Sequence, residues 1–493
     1  MTPSLLFITT LLGACAAYAP WRSRLAIQSS AILASLLTAS VALVLGLRPI
    51  LSGTTWSTEW WLIDPFSGLL LALIALLSVS ATIVSTGYLR HEQEVHIIDL
   101  QHIRFYYMSL HLFVLGMMAT VMANHVLVLW LALESTTLST TLLVAFYAKE
   151  GAIEAAWKYI VICSSGIALG LIGMLITMYS AAAGTDLSGH TLFLLTSLRE
   201  HAASFPPGLL RWAFVFVFIG VGTKVGLVPM HTWLPDAHSK TPSPVSALLS
   251  GILLNVALYV VLRFKFITDT ALGSSTWTGS FFLVFGLLSI ALPACIMLTQ
   301  ANYKRLLAYS SIEHMGILSF AIGLGPLGGI AAVMHMVGHA LAKSLLFFGA
   351  GDILLRWKST KIENVRGVLR AAPATGVLFL LGLLAILAVP PSPLFTSELL
   401  LVTAGMSVHP ALTLLFLLLL TIVFIGMLRA AFHMLFTRDT QSPPQAGGGW
   451  NRTHAVMLAQ LLCLAAVSAF LMTHEGFQLA SLIAQQFTVS PVP

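Results

Sequence analysis

Apolar residues run along this chain in long stretches of about 18 to 25, with no strand-like alternation and no narrow helical stripe, and short polar segments separate them from end to end. A helix of that length crosses the roughly 30 Å of hydrocarbon in a bilayer. Open sheet edges are not tolerated there, because unpaired backbone groups find no water. The pattern predicts an all-α integral membrane protein of about fourteen transmembrane helices, centred near residues 11, 37, 77, 113, 135, 169, 222, 255, 289, 314, 340, 388, 423 and 463.

Composition fixes the solvent. The 493 residues are 58% hydrophobic and only 9% charged, against the roughly one quarter charged that covers a water-soluble globule. Lys and Arg are unevenly placed. The loops after odd-numbered spans hold 17 of the 24 basic residues: Arg22, Arg24, Arg90, Arg104, Lys149, Lys158, Lys240, Lys304, Arg305, Arg356, Lys358, Lys361, Arg366, Arg370, Arg429, Arg438 and Arg452. The even loops hold five (Arg48, Arg199, Arg211, Arg263 and Lys265), and Lys224 and Lys343 lie inside spans. Basic residues stay preferentially on the cytoplasmic side, so both termini are expected on the outer face of the membrane. The net charge of +6 then reflects topology, and no nucleic-acid partner is expected. The first apolar run lacks a basic segment before it, and Arg22 and Arg24 follow it, so it reads as an uncleaved first helix. Cys15, Cys163, Cys295 and Cys463 sit singly in apolar spans with no CxxC pair, so neither a cofactor nor redox chemistry is expected in this chain.

Two spans are interrupted by proline at matching places: "GLVPMHTWLPDAH" in the seventh and "ILAVPPSPLFTSELL" in the twelfth. Equivalent elements an odd number of crossings apart have opposite orientation, as in transporters whose broken helices frame a midplane site. The expected organisation is an N-terminal unit of three helices over 1–103, a five-helix repeat over 104–266, an inverted one over 279–436 and a C-terminal helix within 437–493. Pro229 has no amide proton to give, so a carbonyl one turn earlier, near Val225, needs another partner, and a hydrated gap would supply it. Lys224 has the same need, since an ammonium at bilayer depth costs at least about 2.5 to 3.5 kcal/mol and faces a wet cavity or the bundle interior.

Further ionisable residues lie at depth. Glu134 stands in "LWLALESTTLSTTLL" of the fifth span. His335, His339 and Lys343 are spaced i, i+4, i+8 and share one helix face. Glu398 follows the second break. Opposite charges favour ionisation while burial opposes it, so such groups exchange protons when a neighbour moves, as a relay requires. Blander readings stand beside this one: a static Glu134–Lys224 ion pair, hydrogen-bonded core histidines, Lys304 and Arg305 as interfacial anchors, and His231 and His238 as caps of the first break. The HxxxH spacing lacks a third metal ligand. The basic run from Arg356 to Arg370 reads as a solvated loop touching anionic lipid.

The stretches "TKVGLVPMHTWLPDAHSKTPSPVSALLSGILLNVALYVVLRF", "NYKRLLAYSSIEHMGILS" and "VMHMVGHALAKSLLFFGAGDIL" resemble the antiporter-like membrane subunits shared by respiratory complex I, Mrp-type cation/proton antiporters and group 4 membrane-bound hydrogenases. The likeness extends over about 104–436 and is nearest to the hydrogenase-4 component F type. It implies fourteen helices with the seventh and twelfth broken, and too short a tail for the long lateral helix of the largest complex I member. Carried over by position, it makes Glu134 and Lys224 the pair that gates proton uptake, His335, His339 and Lys343 the central axis, with Lys304 beside them, and Glu398 the ionisable group of the second break. Asn255 departs from the pattern, standing where such relatives carry a lysine. The implied function is proton translocation within a multi-subunit membrane redox complex of a bacterial or archaeal cytoplasmic membrane. Its implied partners are sister membrane subunits and a peripheral redox arm, such as a nickel-iron hydrogenase. A separate cation/proton antiporter, a subunit of inorganic carbon uptake and a scaffold with a degenerate ion path are the alternatives.

Overall fold

A computed structural model describes residues 3–437 and 449–489; Arg438, one of the basic loop residues, lies outside them. The chain folds as helices in the order α1 (Pro3–Tyr18), α2 (Arg24–Ser52), α3 (Pro65–Glu94), α4 (Leu100–Met122), α5 (Val126–Val144), α6 (Glu150–Gly184), α7 (Leu195–Glu200), α8 (Pro207–Val225), α9 (Trp233–Lys240) and α10 (Ser243–Leu248). A π-helical turn, Leu249–Leu253, joins α10 to α11 (Leu254–Leu272). Then come α12 (Thr276–Met297), α13 (Tyr303–Gly323), α14 (Pro326–Trp357), α15 (Val368–Ala371), α16 (Pro373–Ile386), α17 (Pro393–Val408), α18 (Pro410–Phe436), α19 (Arg452–Leu471) and α20 (His474–Ala484). A hairpin of two-residue strands, β1 (Trp56–Ser57) and β2 (Leu62–Ile63), stands between α2 and α3.

Among the described residues, 12 segments are long and apolar enough to cross a membrane. The two other expected positions are filled by shorter apolar helices: α1, of 16 residues, and the broken pair α16 and α17. The Ser243–Leu272 span is wholly buried and forms the axis of the bundle, with α13 and α14 beside it. Small residues set the closest approaches. A Cβ on Gly220 of α8 would collide with the backbone of Gly166 and Gly170 on α6, and one on Gly286 of α12 would meet the Phe320 amide of α13 at 2.7 Å. Such contacts let helices pack where water supplies no hydrophobic drive between them.

Three sequence expectations need correction. Arg263 and Lys265 are not loop residues. They lie buried in the middle of α11, where Arg263 grips Asp64 with two bonds of 2.6 and 2.8 Å and Lys265 donates to Asp269 at 2.5 Å. The C-terminal region holds two helices, and α20 packs back on the bundle, with Phe487 beyond it against Phe66 (ring centroids 5.1 Å) and the Gln486 carbonyl accepting from Arg199. At 11 residues it is too short to cross a bilayer, so apolar length alone does not mark it.

The breaks fall where proline predicts. α8 ends at Val225, and Gly226 turns the chain at φ 83°, a conformation that favours glycine. Protein groups serve part of the opened backbone: the Trp233 indole donates to the Thr223 carbonyl at 2.9 Å, and the Val228 amide donates to Ser289 Oγ at 2.9 Å. At the second break the Ser392 hydroxyl donates to the Ala385 carbonyl at 2.8 Å.

Candidate functional site

Lys224 sits in the last turn of α8, fully buried, because the break behind it brings α5, α6 and α9 around its ammonium. Nζ donates to Thr137 Oγ1 at 2.8 Å and to the Tyr159 hydroxyl at 2.7 Å. The Thr137 hydroxyl in turn donates to Glu134 Oε2 at 3.4 Å, and Ser164 donates to Glu134 Oε1 at 2.5 Å. The direct Glu134–Lys224 ion pair weighed from sequence is therefore replaced by a hydroxyl-bridged one. Glu134 is half-buried, on the outward side of α5. Thr137 lies one turn beyond Glu134 on the same helix, so the run of hydroxyl residues was the available signal.

A second group gathers between α13, α14 and α17. His335, His339 and Lys343 do share a face, and it is turned to α13: the first two meet His314, and Lys343 Nζ donates to the Leu307 carbonyl at 3.0 Å. The His335 ring is 2.9 Å from His314 Nδ1 on one side and 2.9 Å from Ser397 Oγ on the other. His314 Nε2 lies 3.4 Å from the carboxylate of its neighbour Glu313. Neither ring nitrogen of His339 has a partner. Glu398 lines a cavity of about 230 Å³ with Glu313, His314 and Ser310. Glu313 and His314 were missed although they stand at the centre of the tenth span, where an ionisable residue is the same signal that marked Lys224 and Glu134.

Between these groups the chain offers amides and hydroxyls. Asn255 spends its amide on the Gly251 carbonyl of the π turn, at 3.2 Å, and its buried Oδ1 has no partner. One residue before Gly251, Ser250 meets Ser311 at 2.6 Å, and Ser311 shares the Leu307 carbonyl with Lys343. Asn255 is thus beside this connection without being a titrating link in it.

Lys304 is no interfacial anchor. It is 1% exposed and donates to the Thr241 carbonyl at 2.7 Å. His231 lies in the short turn at the first break, with its buried Nδ1 unpartnered. His238 is no cap of the break: it lies fully buried, stacked on Phe347 at 5.1 Å, in the fields of both Lys304 and Lys343, with neither nitrogen bonded. Among the described residues no three His, Cys, Asp or Glu side chains converge as a metal site would require.

On the opposite side of the bundle from the basic loops, Asp64 caps α3 just before its span and holds Arg263, with Arg199 at 3.5 Å. Burial alone would raise this carboxyl, but the two guanidiniums overcome it and hold it down to about 2.

Buried ammonium, imidazole and carboxyl groups joined by hydroxyls can hold and pass protons, and the comparisons with known proteins agree with that chemistry. Residues 123–425 match the family described as NADH:quinone oxidoreductase/Mrp antiporter, transmembrane. The hydrogenase-4 component F homolog of Methylacidiphilum infernorum is 38% identical over 355 residues, 72% of this chain and 74% of that protein. Hydrogenase-4 component B of Escherichia coli is 29% identical over 347 residues, and there the match covers 68% of this chain but only 49% of the relative. In fold, the chain superimposes on one from the archaeal membrane-bound sulfane sulfur reductase complex with a TM-score of 0.85 at 21% identity, covering 98% of this chain and 97% of that one. The chain is an integral membrane protein and belongs to the NADH:quinone oxidoreductase/Mrp antiporter family of antiporter-like membrane subunits.

Proposed function

We propose that this chain translocates protons as one membrane subunit of a larger redox complex, and that its path runs through Glu134, Lys224, the Ser250–Ser311 contact, Lys343, Glu313, His314, His335 and Glu398. The observation that carries the reading is the Lys224–Thr137–Glu134 bridge. A buried ammonium held by neutral hydroxyls, with a carboxylate one hydroxyl away, has an ionisation balance that small movements can tip. A change at a neighbouring subunit that displaced Glu134 would alter the charge on Lys224 and drive a proton along the axis. Asn255 and Lys304 flank that axis, and His339 faces His314 within it. The chain itself would carry no redox group.

The same reading treats 104–266 and 279–436 as inverted units, supported by the proline-broken helix in each. It places the basic loops on the cytoplasmic side of a bacterial or archaeal cytoplasmic membrane, with both termini outside. Sister membrane subunits and a peripheral arm of the nickel-iron hydrogenase kind would complete the assembly. Relatives named as hydrogenase-4 components support that choice of partner.

The test is Lys224→Met in the complex isolated with this chain, placed in vesicles, with proton movement per electron followed by a pH-sensitive dye. Loss of proton movement with electron flow retained is expected. Unchanged movement would make the chain a scaffold. Mass spectrometry of the same preparation identifies the arm, and a zinc protein in place of a nickel-iron subunit would redirect the reading to inorganic carbon uptake.

A further inference from the structure

Lys304 stands at the start of α13, toward the side of the basic loops. A large cavity opens there. It measures about 1090 Å³, is rimmed by Arg90, Lys358 and Trp450, and reaches inward to Tyr88, Ser243 and Gly351. Its basic rim is partly neutralised, since Arg24 and Arg90 approach Glu94, at 3.7 and 3.9 Å, and Arg356 holds Asp352 at 3.0 Å.

The innermost phenol of that vestibule begins a hydrogen-bonded file. Tyr88 OH is 3.0 Å from Tyr147 OH, and Tyr147 donates to Glu92 Oε1 at 2.6 Å. Glu92 is 5% exposed, and its other oxygen, Oε2, is buried with no partner. Glu92 and Lys304 lie in each other's electrostatic field without a direct bond between them. His238 is in the fields of both Lys304 and Lys343. An unsatisfied buried carboxylate oxygen costs stability unless the site needs it. A pair of phenols, each able to accept one proton and release another, supplies a use.

We propose that Glu92, fed through Tyr88 and Tyr147 from this vestibule, is the port by which Lys304 and the buried axis exchange protons with the aqueous phase. A proton from vestibule water passes along the two hydroxyls to the Glu92 carboxylate. The carboxylic acid then gives it, across one bridging water, to the neutral Lys304 amine, leaving carboxylate and ammonium, and His238 stands in the fields of both Lys304 and Lys343. The port rests on the proton-translocating reading of the chain.

A test independent of folding uses Gly87, which lines the vestibule and where a Cβ would meet nothing within 4 Å. The complex carrying Gly87→Cys is assembled in vesicles and treated with a bulky methanethiosulfonate, and proton movement per electron is compared before and after in the same preparation. The unsubstituted chain, with its own four cysteines, is treated in parallel. Labelling of Gly87→Cys should slow proton movement about tenfold, and Glu92→Gln and Tyr147→Phe should each do so without lowering the melting temperature. Full labelling and Glu92→Gln that both leave the rate unchanged, while Lys224→Met abolishes it, overturn the port and leave the functional reading standing. If Lys224→Met also pumps normally, the functional reading falls and the port with it. Should Glu92→Gln fail to assemble, the labelled Gly87→Cys decides alone.

Discussion

Lys224 reaches Glu134 only through Thr137, whose hydroxyl accepts from the ammonium at 2.8 Å and donates to the carboxylate at 3.4 Å. The two charges are coupled without being locked, and the middle hydroxyl is the piece a static ion pair would not need. Thr137→Val should therefore slow proton movement by about ten- to a hundredfold in the assembled complex, whereas Thr137→Ser retains it. Equal rates in the two variants would mean that the bridge is structural.

Glu313 and Glu398 line one cavity, and Glu313 adjoins His314 at 3.4 Å. Replacing either with Gln should reduce proton movement to a similar degree, and the double variant should be little worse than either single one, because both serve the same step. Additive losses, read in the same vesicle assay, would place them on separate routes.

The Asp64–Arg263 pair fastens the start of α3 to the middle of α11, with two bonds between fully buried groups. Arg263→Met leaves Asp64 with Arg199, at 3.5 Å, as its remaining cation beside the Ser67 amide it caps, and should destabilise the purified protein by about 3 to 5 kcal/mol. Asp64→Asn with Arg263→Met together should recover part of that loss, measured as the thermal midpoint in detergent. A double variant less stable than Arg263→Met would contradict the assignment.

The pH dependence of this pair has a definite sign. Asp64 is held down from an ordinary 3.8 to about 2, so its contribution is complete above about pH 4 and fades as pH falls through about 2. The stability difference between the natural chain and the double variant should narrow over that window and stay constant between about pH 5 and 7. A difference that already narrows near neutrality would show that another group is responsible.

Gly220 permits the closest contact of α6 and α8, the helix that carries Lys224. Gly220→Val should cost about 1 to 3 kcal/mol or prevent assembly. Gly208→Ala, where a Cβ meets nothing within 4 Å, should be neutral or slightly stabilising. Their order in thermal stability checks the packing without reference to function.

Sequence alone determined that the chain lives in a bilayer, where its helices run and where two of them break. Those properties follow from local length, hydropathy and the missing amide of proline, which act wherever the rest of the chain goes. It also marked Lys224, Glu134, His335, His339, Lys343 and Glu398, because a charge in an apolar span is conspicuous on its own. Only the tertiary structure decided the partners: Thr137 between Glu134 and Lys224, His314 beside His335, Asp64 under Arg263, and Tyr147 on Glu92. Threonine, tyrosine and serine are unremarkable in a membrane helix, and their roles depend on which helices lie alongside. Arg263, Lys265 and Lys304 were misplaced for the same reason, since a cation near a span's end reads as a loop residue until a carboxylate or carbonyl from elsewhere in the chain is seen to hold it inside.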